Sequence, residues 1–213
     1  MTFETGHIYH LYNQGNNRQR IFFRDENYLL FLRKMREYII PYADIIAWCL
    51  MPNHFHIMVY VHTFEIDIND SLSPRETIIK SISPRVTIIK TNSKLRTFND
   101  SIGFLIRSYT QAINKQKKRT GSLFKAHTKA ECVTKAEEIT PSYFITSSGT
   151  QINVWIPEKE YPIVCLNYIH NNPVKANIVE KAEDYVYSSY RDYIGLRVGK
   201  LINKNRAKEF GLI

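Results

Sequence analysis

The chain has 213 residues, of which 44% are hydrophobic, so it is long enough and apolar enough to form one packed domain. Its net charge of +9 favours a polyanionic partner, although a soluble protein with a merely cationic surface has the same charge balance. No run approaches the roughly 18 apolar residues of a membrane span, and residues 1–5 lack the pattern of a signal peptide. We therefore expect a cytoplasmic protein with no membrane partner. Its three scattered cysteines argue against a disulfide framework and against a cysteine-type zinc site.

The first third of the chain predicts a strand, a helix and a hairpin. The first strand is HIYHLYN (7–13), and apolar residues at helical spacing predict a helix that begins near Asp25 and ends before Pro41. Two apolar runs, 43–50 and 54–61, are separated by a short turn that contains a proline, which predicts a β-hairpin.

Irregular sequence interrupts the pattern twice in the remainder of the chain. A decapeptide repeated in tandem at 71–80 and 81–90 lies inside an insertion at about 63–97. Two copies are too few for a solenoid, which needs about three or more, so we interpret this region as a surface insertion. A second insertion, at about 136–157, contains an expected hairpin at 143–156.

Three regular elements remain between and after these insertions. A long helix capped by Asn99 or Asp100 precedes a strand at 127–133, and a third helix runs from about residue 158 to Asn172, where the following proline should end it. The order β-α-β-β-α-β predicts an α+β protein of the ferredoxin-like, split βαβ type, with an antiparallel sheet, helices on one face and two insertions.

Four side chains on two of these elements suggest a functional site. His54 and His56 alternate with Phe55 on an apolar strand, so both histidines point to the same side of the sheet. Tyr168 and Asn172 are four residues apart and share a helix face. If that face meets the histidines, the group offers two nitrogen ligands, an oxygen ligand and a nucleophilic phenol. The structural alternatives are two satisfied core histidines, a packed tyrosine and a helix-ending asparagine.

Five segments together resemble the single-tyrosine HUH transposases, and in particular the branch of REP-associated tyrosine transposases. The similar segments, which span most of the chain outside the insertions, are NQGNNRQ (13–19), MPNHFH (51–56), GSLF (121–124), YIHNNPVKA (168–176), and EDY (183–185) with SSY (188–190) and Tyr193. This resemblance implies a single HUH transposase-like domain over residues 1–213, with a C-terminal tail at about 195–213. The chain departs from the family pattern after GSLF, where it continues as KAHT (125–128).

The resemblance also implies a reaction and a set of site residues. His54 and His56 would be the paired metal ligands, Asn172 would complete the metal site, and Tyr168 would be the nucleophile. The implied cofactor is a divalent ion, Mg²⁺ or Mn²⁺, and the implied activity is cleavage and rejoining of single-stranded DNA at hairpin ends through a 5′-phosphotyrosine. It leaves open whether the protein acts as a monomer or as a homodimer.

Basic side chains near these motifs are candidates for phosphate contacts. A cluster at the end of the second long helix has a simpler interpretation, since cations there also stabilise the helix dipole. The candidate DNA-binding residues are Arg18, Lys115, Lys117, Lys118, Arg119, Lys125, Lys175 and Arg191.

Two other functions and one other nucleophile remain open from the sequence. The protein could bind DNA hairpins without cutting them, or it could be a hydrolase that uses a metal-bound water while Tyr168 only packs. Tyr109 is the rival nucleophile, but Ile113 stands where a ligand four residues later would be needed. His170 turns about 200° away from Tyr168 on a helix, so we expect it to be structural.

Overall fold

The computed structural model describes residues 2–67, 95–135, 143–146, 149–152 and 160–213. The tandem decapeptide at 71–90 lies outside these residues. In chain order the helices and strands are β1 (Ile8–Gln14), α1 (Asp25–Tyr38), β2 (Ala43–Met51), β3 (His54–Val61), β4 (Glu65–Asp67), β5 (Leu95–Thr97), α2 (Phe98–Lys117), β6 (Lys129–Cys132), β7 (Tyr143–Thr146), β8 (Gly149–Ile152), α3 (Tyr161–Lys175), α4 (Tyr190–Tyr193) and α5 (Lys204–Glu209). Within the described residues, no helix combines the length and the apolar character needed to cross a membrane.

A four-stranded antiparallel sheet with the order β2-β3-β1-β6 forms the centre of the molecule. The predicted hairpin of β2 and β3 is confirmed, and β3 has the predicted bounds His54–Val61. Two smaller pairs, β4 with β5 and β7 with β8, are antiparallel ribbons. The ribbon of β4 and β5 pairs the segments just before and just after residues 68–94. The first insertion therefore leaves and re-enters the fold at the same position.

The two faces of the sheet carry separate hydrophobic cores. Alternate residues such as Leu11, Phe55 and Ile57 point towards α1 and α2, and together they form the first core. The residues between them, such as Ile8 and Met58, point to the opposite face, where they meet α3 in a second core. The expectation that the helices share one face is therefore correct for α1 and α2 and wrong for α3. The physical reason is that β2 and β3 are apolar on both sides, so both sides need cover.

Helix α2 begins with a capping box at Thr97, so the prediction that Asn99 or Asp100 caps this helix is wrong. The Thr97 hydroxyl accepts a hydrogen bond from the Asp100 N–H at 3.1 Å, and the Asp100 carboxylate accepts one from the Thr97 N–H at 3.2 Å. Asp100 is thus the acidic partner at the third helical position, and Thr97 is the cap itself.

Helix α3 continues beyond its predicted end and places one face on the sheet. Pro173 lies inside the helix, which ends at Lys175, so the prediction that the helix stops at Asn172 is wrong by one turn. The Ala176 N–H donates to the Asn172 carbonyl at 3.0 Å, so the last turn closes after the proline. Cys165, Leu166 and Ile169 are buried against the sheet. This packing holds the C-terminal part of the helix next to His54 of β3.

Candidate active site

Side chains from β1, β3 and α3 meet on the sheet face that α3 covers. His54 and His56 point from β3 to this face, and their ring centroids are 5.0 Å apart. Tyr168 lies above them on α3, with its ring centroid 5.3 Å from that of His56. Asn172, one turn further along α3, approaches His54. The structure therefore brings together the four side chains that the sequence pattern predicted to meet.

The environment of His54 contains more hydrogen-bond acceptors than a neutral imidazole can satisfy. Its Nδ1 lies 2.6 Å from Asn53 Oδ1, and its Nε2 lies 3.3 Å from Asn172 Oδ1. Burial lowers the pKa of His54, although the Asn172 contact offsets part of the effect, so the neutral ring with one N–H is favoured. With that N–H donated to Asn53, Nε2 and the Asn172 oxygen face each other as two acceptors. A cation bound by both atoms would stabilise this arrangement.

His56 is buried next to a further histidine, His10 of β1. The Nδ1 of His56 lies 2.9 Å from the Nε2 of His10, and both rings are over nine-tenths buried. Burial lowers the pKa of His10 to about 4 and holds the pKa of His56 well below its ordinary value. The Nε2 of His56 has no hydrogen-bond partner among the described residues. A buried polar atom without a partner is unusual, so this nitrogen is a candidate ligand atom.

Tyr168 is half-buried, and its hydroxyl is held in the protonated form. Burial raises its pKa above the ordinary value of 10, and the side chain of Asn172 offsets part of that rise by hydrogen bonding to it. The Lys175 ammonium lies 5.3 Å from the centre of the Tyr168 ring. Asn172 therefore lies next to His54, the candidate ligand, and also influences the pKa of the candidate nucleophile.

These side chains fit a divalent ion with a modest set of donors. The set consists of two imidazole nitrogens and the amide oxygen of Asn172, which suits Mn²⁺ and, with water oxygens added, Mg²⁺. In residues 2–67, 95–135 and 160–213, no group of three or more His, Cys, Asp or Glu side chains has the geometry to hold a metal ion. A metal site here would therefore need Asn172 as its third protein ligand.

A cavity of about 300 Å³ opens in front of the two histidines and Tyr168. Its wall includes Tyr12, whose hydroxyl donates to Glu131 at 2.5 Å, and it also includes Lys125, His127 and Lys129. The cavity thus combines aromatic rings with two lysines, the composition expected where bases and phosphates bind.

The predicted DNA-binding residues divide into those near the cavity and those apart from it. Lys125 lines the cavity, and Lys175 reaches the ring of Tyr168. Arg18 and Arg119 belong to two neighbouring loops, since Arg119 donates to Gln19 at 2.7 Å, in the loop that contains Arg18. Lys115, Lys117 and Lys118 are exposed at the end of α2. Arg191 of α4 donates to the Glu183 carbonyl at 3.3 Å and does not line the cavity.

Tyr109 and His170, which the sequence analysis did not favour as site residues, are both buried. Tyr109 is fully buried in the first core, and its hydroxyl donates to the Ile21 carbonyl at 2.8 Å. It therefore lies on the opposite side of the sheet from His54. His170 is buried on α3, with its Nε2 2.9 Å from the Ser189 hydroxyl, which agrees with a structural role.

Sequence reasoning missed the contribution of β1 to the site. His10 and Tyr12 alternate along β1, and Tyr12 lies directly opposite His56 in the register of the two strands. The signal was the polar pair within HIYHLYN, but without the register nothing in the sequence relates it to the histidines of β3. Lys129 and His127 were also missed, since they were assigned only to a strand.

Comparison with known proteins agrees with the topology. No family model matches the chain, and neither does any curated protein. One solved structure, that of a REP-associated tyrosine transposase bound to a REP hairpin, is similar with a TM-score of 0.52 over 95% of this chain and 92% of that chain. The two sequences are 14% identical, so the likeness shows a common fold and not a common activity. The chain described here therefore has the α+β fold of that transposase.

Proposed function

We propose that this protein is a DNA strand transferase that cuts and rejoins single-stranded DNA beside a hairpin. The observation that carries the proposal is the convergence of Tyr168 and the paired histidines on one cavity, with Asn172 Oδ1 3.3 Å from His54 Nε2. The net charge of +9 supports a nucleic-acid substrate. The similar transposase structure, which is bound to a REP hairpin, supports hairpin DNA as the substrate class.

The Tyr168 oxygen would act as the nucleophile. It attacks the phosphorus of a DNA phosphodiester, so the Tyr168 O–P bond forms, the bond from phosphorus to the 3′ oxygen breaks, and the 5′ end stays on the protein. The phenol loses its proton, and the departing 3′ oxygen gains one. The phosphotyrosine keeps a high-energy ester, so another 3′-hydroxyl can reverse the step and join two strands without ATP. Placement of Tyr168 on a packed helix supplies the orientation this displacement needs.

Mg²⁺ or Mn²⁺ held by His54, His56 and Asn172 would supply positive charge next to the phosphate when it is bound. Asn172 has a second task in this proposal, since its side chain also offsets part of the rise in the Tyr168 pKa. We propose that Lys175, which lies over the Tyr168 ring, and Lys125, which lines the cavity, hold DNA phosphates.

The proposal includes a ferredoxin-like topology and a nucleophile that acts within its own chain. The sheet order β2-β3-β1-β6 and the antiparallel neighbours support the first. The 5.3 Å separation between the rings of Tyr168 and His56 of one chain supports the second. Cleavage would then not require a homodimer.

The alternative is a protein of the same fold that binds hairpins without cutting them. The raised pKa of Tyr168 and the reliance on an amide as third ligand favour this alternative, because both weaken the chemistry. A hydrolase that releases both DNA ends remains a third outcome of the same experiment.

The test uses a hairpin oligonucleotide that carries single-stranded flanks and is labelled at each end in turn. The protein is incubated with it in Mn²⁺ and then denatured, and adducts are resolved by gel electrophoresis and mass spectrometry. We expect a covalent adduct with the fragment that carries the new 5′ end, and this adduct is absent in Tyr168→Phe. The control is Tyr60→Phe, because Tyr60 lies on the same face of β3 but packs against Phe210. Cleavage without an adduct would support the hydrolase, and binding without cleavage would support the hairpin-binding protein.

A further inference from the structure

His10 is a buried polar side chain that the proposed reaction does not yet use. It lies on β1, next to β3 in the sheet, and its Nε2 is 2.9 Å from the Nδ1 of His56. It is 7% exposed, and its ring lies edge to edge with that of His56 in roughly parallel planes, with the centroids 5.0 Å apart. Its other ring neighbours are Tyr12 and Tyr168, which approach at 4.9 Å and 6.2 Å. A histidine in such surroundings needs a specific partner, because burial of an unpaired polar group costs free energy.

We propose that His10 is a positioning residue that accepts a hydrogen bond from the Nδ1–H of His56 and thereby leaves the Nε2 lone pair of His56 free to bind a divalent cation. This inference rests on the proposed function in that it assigns His56 as a ligand. The inference goes beyond the proposed function because it specifies the tautomer of His56 and names His10 as the residue that sets this tautomer.

The contact between the two imidazoles allows two arrangements of the proton. In one, His10 donates from Nε2, so His56 carries its own proton on Nε2. In the other, His56 donates from Nδ1, so its Nε2 has only a lone pair. The 2.9 Å separation is that of a hydrogen bond, so one proton lies between the two nitrogens.

The orphaned Nε2 of His56 separates the two arrangements. In the first, a buried N–H would have no acceptor among the described residues. In the second, Nε2 carries only a lone pair and is an acceptor without a partner. Buried donors without a partner are rarer than buried acceptors without one, which favours the second arrangement. The second arrangement also matches the general requirement that a ligating histidine donates its other ring N–H to a supporting group. His54 shows the same pattern, because its Nδ1 faces the Asn53 oxygen at 2.6 Å.

Two variants at His10 separate its hydrogen bond from its bulk. In His10→Gln the side-chain amide oxygen can take the place of Nε2 as an acceptor. In His10→Phe the ring volume is retained and the acceptor is lost. We expect His10→Phe to weaken Mn²⁺ binding about 10- to 100-fold, the range typical of lost support to a metal ligand. We expect His10→Gln to stay within about 3-fold of the unmodified protein.

The decisive measurement needs neither metal nor DNA. Long-range ¹H–¹⁵N correlation spectra of the metal-free full chain report which ring nitrogen of each histidine carries the proton. We expect His56 to be protonated at Nδ1 in the unmodified protein and in His10→Gln, and to shift towards the Nε2 form in His10→Phe. Binding of Mn²⁺ is then followed by electron paramagnetic resonance of the free ion for all three proteins.

The outcomes keep the two proposals apart. A His56 ring protonated at Nε2 in the unmodified protein overturns the role of His10, whatever the protein does to DNA. Equal Mn²⁺ affinity in His10→Phe and the unmodified protein also overturns it. If the tautomer and the affinities are as expected but no DNA is cut, the strand-transfer proposal fails and the inference about His10 stands. If His10→Phe does not fold, the His56 tautomer in the unmodified protein and in His10→Gln still tests the role of His10.

Discussion

The salt dependence of DNA binding tests whether the substrate passes over the candidate active site. Lys125 and Lys129 line the cavity, and Lys175 lies 5.3 Å from the ring of Tyr168. A lysine that neutralises one phosphate of single-stranded DNA contributes about 0.7 to the slope of log affinity against log salt concentration. Lys125→Gln should therefore lower the slope by about 0.7. Between 50 and 200 mM salt, the variant should lose about 2.6-fold less affinity than the unmodified protein, which is about 0.6 kcal/mol.

The assay is fluorescence anisotropy with a labelled hairpin that carries a single-stranded flank, titrated at four or more salt concentrations. Lys125→Gln and Lys175→Gln should each lower the slope. Lys34→Gln is the control, because Lys34 pairs with Glu37 on α1 at 2.9 Å and α1 lies on the other face of the sheet. Lys115→Gln reports on the end of α2. If the cavity variants leave the slope unchanged while Lys115→Gln lowers it, the DNA lies along α2, and the placement of the scissile phosphate at Tyr168 is refuted.

Three further predictions concern single side chains. His54→Ala should slow cleavage at least about 100-fold but change hairpin affinity less than about 3-fold, because a neutral imidazole offers a phosphate no positive charge. If binding and cleavage assays show that both are lost, His54 has a structural role. Tyr109→Phe should lower the free energy of unfolding by about 1–2 kcal/mol in a urea titration, because the Ile21 carbonyl loses its donor, while the covalent adduct still forms. The folded-state pKa of His170 is about 4, below the ordinary 6.5, so its contribution to stability is present above pH 6.5 and is lost as the pH falls towards 4. Urea titrations should show His170→Gln losing about 2 kcal/mol less than the unmodified protein between pH 7 and pH 4.5, and equal losses would contradict the assignment.

The sequence predicts the elements of the sheet well because each has a clear period or boundary. The hairpin of β2 and β3 follows from two apolar runs separated by a short turn, and β3 has the predicted bounds. The side on which α3 packs could not be predicted in the same way. An apolar run such as β2 gives no alternation, so it does not show which faces are covered. The predicted end of α3 was also wrong. Pro173 falls in the last turn of the helix, where its missing N–H removes few backbone hydrogen bonds.

The candidate site was predictable where spacing alone fixes the geometry. His54 and His56 share a face through the period of two, and Tyr168 and Asn172 share one through the helical period. His10 was not predictable, because its contact with His56 depends on the register of β1 against β3. In that register Tyr12 lies opposite His56, which makes His10 a diagonal neighbour of His56. Register is set by the whole pattern of burial on both strands, and no local signal carries it.

The packing of α3 determines how a strand transfer could proceed in this protein. Tyr168 projects from a helix that buries Cys165, Leu166 and Ile169 in the second core, and the His170 Nε2 of the same helix lies 2.9 Å from the Ser189 hydroxyl. Burial of three such side chains is worth about 5 kcal/mol or more, so the helix rarely leaves the sheet. The tyrosine therefore stays at the cavity throughout a reaction. If the 5′ end of the DNA is bound to it, the exchange of partners must occur by movement of the free 3′ end into the cavity, and not by movement of the protein-bound end.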